Sequence, residues 1–360
     1  MPPEHPPAPT LLSLFDMFLD RDAADPAFTD HLRAARDQLQ VSLLGETSDP
    51  FLSVVLTTNG GRLEVLSDAL LCLAAQTARD FEVIVVARDS VDDNRAQISA
   101  LVDDYRPLLP NARVVDVTGA SRALSLNAGV QKAQGRYLAF VDDSDLLFAH
   151  WVETFHNEAQ SHSGRLVRAV AGTQDISSER WADGRDGFRA LTWSKAAMAA
   201  DQGPVHDVVS NLSPLTSIAF PSALFTTLGF RFDETLTTGE GREIIARGAS
   251  ILGIVSALEF TSIHRRWAHD ASASDEQART QQQTAGQQLV ARLDAEPTLL
   301  PAGAVSHLRS LVTDKNASIA LRHVLASKSW RFFGPLRAVV SNASNLRARA
   351  LARVRRRRSS

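Results

Sequence analysis

Short apolar runs alternate with stretches of helical periodicity through the first half of the chain. Four apolar runs predict buried strands, at 52–57, 82–86, 112–117 and 137–141. Between them, apolar residues recur at helical spacing and predict helices at 64–76, 94–104 and 122–133. Strands that alternate with helices indicate an α/β fold with a mainly parallel sheet flanked by helices.

The second half of the chain has a less regular pattern. It predicts two more strands and two more helices, at 166–171 and 217–220 and at 222–228 and 239–248, followed by an apolar run at 251–258. After His269 the sequence becomes rich in Ser, Asp and Gln, which marks a boundary. We therefore expect a helical N-terminal extension at 1–49, an α/β domain at 50–270, and a helical C-terminal region with a basic tail at 271–360.

Three carboxylates follow the fourth predicted strand directly, at Asp142, Asp143 and Asp145. Ligands of parallel sheets bind beyond the carboxyl ends of the strands, so this turn and the one after Thr57 are the predicted functional edge. Carboxylates this close repel one another, and a cation relieves that repulsion. Mg²⁺ and Mn²⁺ are held by such groups together with phosphates and water. The alternative is a solvated turn that caps a helix at 150–159.

The residues around this turn resemble those of the family 2 glycosyltransferases, which have the A-type glycosyltransferase fold. The family pattern R-x-x-x-x-N-x-G-x-x-x-A-x-G-x-Y, continued by F-x-D-x-D-D, is matched in register by Arg122, Asn127, Gly129, Ala133, Gly135, Tyr137, Phe140, Asp142 and Asp145. The segments SVVLTT and DALLCLAAQTARDFEVIVV resemble the first strand, helix and second strand of the family, and 229–240 resembles its GGFDExL…ED segment. The resemblance covers about residues 50–270, and a further short segment near 330 also resembles the family.

The resemblance implies an inverting glycosyltransferase, of hexosyltransferase type, with a fold of the nucleotide-diphospho-sugar transferase type. It implies a nucleotide-sugar donor, a glycan or lipid-linked acceptor, and a role in surface polysaccharide biosynthesis. A divalent metal, Mg²⁺ or Mn²⁺, is expected on Asp143 and Asp145. The implied donor-binding residues are Thr57, Asn59, Asp89, Arg122, Asn127, Asp142, Asp143 and Arg265.

The acceptor hydroxyl needs a general base, which a carboxylate can supply. In the family this base is the Asp of the Glu-Asp pair, but here Gly241 follows Glu240. Glu240 and Glu243 are three residues apart, share a helix face and are the expected substitutes. The alternative is that both residues are carboxylates on the surface of a helix with no catalytic role, which the sequence supports nearly as well. Two further departures are Ser144 in place of an Asp and the Ala-Arg-Asp sequence that ends the second strand, where the family has an acidic residue contacting the nucleotide base.

The composition excludes several classes of site and protein. The 360-residue chain contains one cysteine, Cys72, so it forms neither an internal disulfide nor a cysteine zinc site. No apolar run approaches the roughly 20 residues of a membrane span, and the Pro-rich start lacks the features of a signal peptide. These features predict a cytoplasmic protein. No G-x-G-x-x-G or P-loop follows the first strand, which argues against dinucleotide and P-loop enzymes.

The C-terminal tail differs in charge from the rest of the chain. The net charge is −3, yet nine Arg and no acidic residue lie between Arg331 and the end. Apolar residues accompany them, notably Trp330, Phe332, Phe333 and Leu336. Such a tail predicts peripheral contact with the anionic inner face of the membrane. A solvated basic tail is the alternative, and the lack of a base-reading motif argues against nucleic acid.

Two other functions fit parts of the sequence. Gly241 and Ala87 stand where the family has acidic residues. These replacements suit a scaffold subunit that binds a sugar nucleotide but has lost its catalytic base. A metal-dependent nucleotidyltransferase also uses carboxylates and a nucleotide, and Asn59-Gly60-Gly61-Arg62 is a faint version of its triphosphate loop.

Overall fold

Two strands with almost wholly buried side chains form the centre of the fold. Strand β1, Leu52–Thr58, is buried at every position, and β2, Phe81–Arg88, at every position but the last. Strands buried on both faces suit a parallel sheet with helices on either side. The two strands pair in parallel, with Leu52 opposite Phe81 and Thr58 opposite Ala87.

The structure is a computed structural model that describes residues 11–20, 25–44, 50–88, 92–119, 121–182, 186–197, 213–236, 238–268, 275–295, 299, 308–309 and 313. The remaining strands in chain order are β3 Ala112–Val117, β4 Tyr137–Asp142, β5 Leu146–Leu147, β6 Leu166–Arg180, β7 Asp186–Ala190, β8 Lys195–Ala197, β9 Ile218–Pro221 and β10 Ile254–Trp267. The helices are α1 Leu11–Leu19, α2 Pro26–Leu44, α3 Leu63–Ala74, α4 Asp92–Tyr105, α5 Arg122–Lys132, α6 Trp151–Ser161, α7 Ala223–Thr226, α8 Glu240–Leu252 and α9 Asp275–Asp294. A 3₁₀ turn, Leu215–Ser217, precedes β9.

The strands form one mixed sheet in the order β3-β2-β1-β4-β9-β6-β10-β5, and β7 and β8 also pair with β6. Pairing is parallel from β3 through β4, while β9 is antiparallel to both β4 and β6. Strand β10 is parallel to β6, and the short β5 runs antiparallel to β10. The predicted α/β class with a largely parallel sheet is confirmed.

Alternate residues of the sheet face two separate hydrophobic clusters. Val54 and Leu56 face the cluster that contains α3, α4 and α6, whereas Val55 faces the cluster that contains α5, α7, α8 and part of α2. The period-two alternation of a strand therefore divides β1 between two helical layers. This arrangement fixes the carboxyl ends of β1, β2 and β4 at one edge.

Two predicted strands extend further than their apolar runs. The strand predicted at 166–171 continues as β6 to Arg180, because its second half pairs with β7 and β8. The apolar run at 251–258 was interpreted as one unit, but α8 ends at Leu252. Gly253, with φ of 76°, then turns the chain into β10. That strand continues to Trp267 in parallel register with β6.

The two termini are described in part. Helices α1 and α2 lie within the predicted N-terminal extension at 1–49, and α9 lies within the predicted C-terminal region at 271–360. The chain divides into two compact units, Met1–Ala304 and Val305–Ser360, and the second is described at 308–309 and 313. The predicted domain limits stay predictions. Among the described residues, no helix has both the length and the apolarity to cross a membrane.

Gly135, just before β4, occupies a place where β1 leaves no room for a side chain. Its N–H donates to Ser53 Oγ at 2.8 Å, and a Cβ there would lie 2.5 Å from the Ser53 nitrogen. Ser53 in turn donates to the buried Glu82 at 2.6 Å. The close contact is with backbone, which cannot rotate away.

We predict that Gly135→Ala lowers the free energy of unfolding by about 1–3 kcal/mol, because overpacking forces β1 and β4 apart. Urea unfolding followed by circular dichroism measures the change. The control is Gly286→Ala in α9, where a Cβ would meet nothing within 4 Å. That helical substitution should be neutral or stabilise by up to about 1 kcal/mol. Equal effects of the two variants would contradict the prediction.

Candidate functional site

The acidic turn after β4 is held against the end of β1. The N–H of Asp143 donates to Thr57 O at 3.1 Å, and the N–H of Asp145 donates to Asp142 O at 2.9 Å. Thr57 donates to Asp142 at 2.9 Å, and Thr58 donates to Asp143 at 2.7 Å. The two predicted turns, after Thr57 and after β4, therefore meet at one edge of the sheet.

A cleft of about 310 Å³ opens at this edge. Its walls come from the ends of β1, β2, β4 and β10 and from the start of α5. The lining residues are Thr57, Thr58, Asn59, Arg62, Arg88, Arg122, Ser125, Asp142, Asp143, Ser144, His264, Arg265, Arg266 and Trp267. Arginines outnumber carboxylates in this lining, so the cleft suits an anionic ligand that also interacts with carboxylates through a cation.

Arg122 joins the acidic turn to the start of α8. Its Nη2 lies 2.9 Å from each Asp142 oxygen, and its Nη1 donates to Glu240. Burial opposes ionisation of Asp142, but the charge and hydrogen bonds of Arg122 outweigh it and hold the pKa of Asp142 below its ordinary value. Glu240 is 6% exposed and therefore depends on this guanidinium for its partner. Removal of Arg122 would leave two carboxylates unpaired.

Asp143 has a different environment from its neighbour. Burial is the main cause that raises the pKa of Asp143 to about 6. The bond from Thr58 acts in the opposite direction, while the charges of Asp142 and Asp145 add to the increase. A carboxylate with this surplus of negative charge around it is one that a bound cation would stabilise in its ionised form.

Asp145 faces the interior of the turn. It is 1% exposed, accepts the N–H of Asp142 at 3.1 Å, and lies 2.8 Å from Nδ1 of His264. Burial opposes protonation of His264, but Asp145 outweighs it and raises the pKa of the imidazole. Asp145 therefore supports the turn from inside and does not line the cleft, whereas a strand-end carboxylate is expected to contribute little to packing.

Asp142, Asp145 and His264 offer one ligand atom each, all within 4.8 Å of one another. Two carboxylate oxygens and an imidazole nitrogen suit a divalent metal such as Mn²⁺ or Mg²⁺. The set therefore fits a divalent ion, although Asp142 is paired with Arg122 and His264 with Asp145. Asp143, expected as a ligand, is absent from this cluster and borders the cleft beside it.

A short strand pairing brings the basic residues of β10 to the acidic turn. Strand β5 pairs antiparallel with β10, with Leu146 opposite Ile263 and Leu147 opposite Ser262. Beside this pairing, Arg265 Nε donates to Ser144 O and Ser144 Oγ donates to Arg265 O at 3.3 Å. Arg265 is 3% exposed and lies over the Phe188 ring at 4.4 Å. Arg265, expected to bind the donor, therefore lies next to the acidic turn.

The structure separates other predicted residues from the cleft. Asn127 is not among the lining residues. Its side-chain amide donates to Phe232 O, accepts the N–H of Phe232, and also donates to Glu234 at 3.1 Å. Glu243 is fully buried, lies 2.9 Å from Arg247, and likewise does not line the cleft. Asp89 lies outside the described residues.

Sequence reasoning did not assign His264, Trp267 or Ser125 to the site. The proximity of His264 to Asp145 depends on the β5–β10 pairing, which leaves no signal in local spacing. Trp267 borders the cleft with Arg62 stacked 3.8 Å above its ring. Ser125 also borders the cleft, one helical turn after Arg122. The spacing of one helical turn from Arg122 would have indicated that Ser125 faces the cleft. No feature of the sequence indicated the same for Trp267.

Residues 53–217 match the model of the family described as Glycosyl transferase family 2. Among solved structures, the chain resembles S. aureus TarS at 20% identity over 60% of this chain and 36% of that one, with a TM-score of 0.46. It also resembles S. aureus TarS 1-349 in complex with UDP-GlcNAc, at 21% identity over 62% of this chain and 61% of that one, with a TM-score of 0.45. The chain therefore spans about a third of the length of TarS. No curated protein is significantly similar to it in sequence.

Proposed function

We propose that this protein, in which residues 53–217 match the model of glycosyltransferase family 2, transfers a sugar from a nucleotide-sugar donor to a hydroxyl group of an acceptor. The observation that carries the proposal is the cleft in which the acidic turn and the arginines of α5 and β10 face one another. A donor of this kind contains a diphosphate, and the cleft supplies cationic groups for it together with carboxylates for its metal.

The arginines of the cleft support a role in binding the diphosphate. Arg62, Arg122 and Arg265 line the cleft from three separate parts of the chain. Guanidinium groups suit phosphate because their planar N–H groups form paired, charge-assisted bonds. Thr57 and Asn59, at the end of β1 and just after it, border the same cleft and are proposed to contact the nucleotide, as is Asp89 after β2.

A divalent metal is proposed at the acidic turn. Asp145 and His264, with Asp142, would hold it, and we propose that Asp143, which lines the cleft, completes the site. When bound, such an ion supplies Lewis-acid stabilisation of the negative charge on the departing diphosphate. The residues of the chain position it: Thr57 and Thr58 fix the two carboxylates at the strand end.

Glu240 is the proposed general base. The guanidinium of Arg122 contacts both Glu240 and Asp142, so Glu240 lies close to the acidic turn. The acceptor oxygen attacks the anomeric carbon, the bond from that carbon to the diphosphate breaks, and the acceptor proton passes to Glu240. A single displacement of this kind inverts the anomeric centre. Glu240 is paired with Arg122 in the structure, so we expect Arg122 to turn from Glu240 towards the diphosphate during catalysis.

The finer parts of the proposal concern the transferred group and the acceptor. We propose transfer of a hexosyl group to a glycan or lipid-linked hydroxyl, in polysaccharide biosynthesis at the inner face of the membrane. These assignments rest on the resemblance to family 2 enzymes and on the basic composition of the tail. The scaffold alternative predicts donor binding with neither transfer nor donor hydrolysis.

We predict that a nucleoside diphosphate sugar raises the melting temperature of the protein only when Mn²⁺ is present, and that Asp145→Asn removes this metal dependence. The amide keeps the size of the side chain but lacks the charge that a divalent ion requires. A thermal-shift panel of UDP-, GDP-, dTDP- and CDP-sugars, each with and without Mn²⁺, tests this and identifies the base.

The matched control is Asp103→Asn, which changes an exposed carboxylate paired with Arg106 on the surface. That variant should respond to donor and metal as the wild type does, since exposed ion pairs contribute little. Wild-type protein that responds to no donor under either condition would contradict the proposed function. A response of Asp145→Asn equal to that of wild type would contradict the metal assignment alone.

We predict that Glu240→Gln lowers the transfer rate by about 10²–10⁴-fold, the usual contribution of a general base, and leaves donor binding measurable. Glu243→Gln is the matched control on the same helix. It should retain turnover because Glu243 pairs with Arg247 away from the cleft. Single-turnover transfer with radiolabelled donor gives the rates. Full turnover in both variants would show that neither carboxylate is the base and would favour another proton acceptor.

The basic tail after Lys328 lies outside the described residues, and its membrane contact is a proposal from composition. We predict that full-length protein sediments with anionic vesicles and that a chain ending at Lys328 does not. Each basic residue near an anionic surface contributes about 1 kcal/mol, and the aromatic residues add a term that salt does not screen. Moderate salt should therefore weaken binding without abolishing it. Equal sedimentation of both chains would contradict the proposal.

A further inference from the structure

Ser125 is a buried serine whose hydroxyl has no hydrogen-bond partner. The residue is 1% exposed, and its Oγ contacts no donor or acceptor among the described residues. A buried polar group without a partner costs roughly 1–3 kcal/mol. Such groups are rare in folded proteins, and each one requires a specific explanation.

Other helical hydroxyl groups in this protein do find partners. Ser42 donates to Gln38 O at 3.1 Å and Ser250 to Arg247 O at 2.8 Å. Thr226 likewise donates to Ser222 O at 3.0 Å. This bond to a carbonyl of the preceding turn is the usual solution for a hydroxyl inside a helix. Ser125 makes no such bond, although Ser121 O lies four residues earlier on the same helix.

The position of Ser125 indicates what its partner is. Ser125 borders the cleft, one turn after Arg122 at the start of α5. Of the buried side-chain atoms that lack a hydrogen-bond partner in the described part of the chain, those on residues that line this cleft are Ser125 Oγ and Arg265 Nη2. Arg265 Nη2 lies 3.9 Å from a carboxylate oxygen of Asp68, beyond hydrogen-bond distance. Ser125 Oγ and Arg265 Nη2 can both donate a hydrogen bond, and they come from two different walls.

Ionisable and dipolar groups near Ser125 favour an anion. Arg122 is on the same helix, and the N-cap of that 11-residue helix, Ser121, makes no side-chain capping bond. The first N–H groups of the helix therefore add partial positive charge at the same end. An oxygen-rich anion placed here would accept from Ser125 and Arg265 together.

We propose that Ser125 is a donor-positioning residue whose hydroxyl donates a hydrogen bond to a diphosphate oxygen of the nucleotide sugar, with Arg265 Nη2 as the second donor. The inference rests on the proposed function, since it assigns a partner within the donor cleft. Ser125 does not belong to the sequence pattern that marks the family here. It gives the donor an attachment on the protein that needs no metal.

The test compares Ser125→Ala with a control that removes an equally buried hydroxyl elsewhere. Thr216 Oγ1 also lacks a partner, in a residue 1% exposed that does not line the cleft, so Thr216→Val is the control. Removal of an unpartnered hydroxyl should leave both variants as stable as wild type or more so. Alanine is also favourable inside a helix.

Titration calorimetry with Mn²⁺ then measures binding of UDP, GDP and CDP and of the corresponding monophosphates. For whichever diphosphate binds wild type, Ser125→Ala should weaken binding about 3–10-fold, the usual effect of one lost hydrogen bond. Thr216→Val should bind like wild type. The weakening should shrink for the monophosphate, which lacks the second phosphate group. In transfer assays, the KM for the donor should rise by the same factor while kcat changes less.

Each outcome decides a different point. Diphosphate binding by Ser125→Ala that equals wild type, or equal weakening of monophosphate and diphosphate, overturns the assignment to Ser125 and leaves the proposed function intact. A wild-type protein that binds none of the nucleotides overturns the proposed function and this inference with it. Should Ser125→Ala be markedly less stable than Thr216→Val, Ser125→Cys keeps the side-chain size with a weaker donor and takes its place, with the same expectations.

Discussion

The pairing of Arg122 with Asp142 and Glu240 is the interaction on which the rest of the site depends. Carboxylates at the end of a buried strand lose hydration and repel one another, so they need a cation from the protein or from a ligand. Arg122 supplies it from α5 and binds the first carboxylate of the turn through both oxygens. The same guanidinium holds the start of α8 against the cleft through Glu240.

The other carboxylates of the turn are not neutralised in this way. Asp143 receives one hydrogen bond from Thr58, and its raised pKa reflects burial together with the charge of its neighbours. Asp145 faces His264 from inside the turn. The acidic turn thus combines one carboxylate paired with an arginine, one that lies beside a histidine, and Asp143, which a bound cation would stabilise in its ionised form. That division suits a site which must be stable when empty and still attract a metal and a diphosphate.

The two halves of the sheet contribute different parts of the cleft. The parallel strands β1, β2 and β4 place hydroxyl and carboxylate groups at one edge, in the manner common to open α/β sheets. Strand β10, which follows more than a hundred residues later, adds His264, Arg265 and Trp267 to the opposite wall. The two residues of β5 hold that wall in register with the turn. The position of the basic residues on this wall therefore depends on a strand pairing of two residues at the edge of the sheet.

The layered α/β class, the strands β1 to β4 and the place of the acidic turn could be predicted from the amino-acid sequence alone, because buried strands and amphipathic helices leave local periodicities. An ordered motif also marked Asp142, Asp143, Asp145 and Arg122 through their spacing. Which carboxylate is paired depends on the three-dimensional arrangement. The same arrangement turns Asn127 away from the cleft towards Phe232 and brings His264 to Asp145. These outcomes depend on long-range strand pairing and on hydrogen bonds between distant residues, which leave no local periodicity in the sequence.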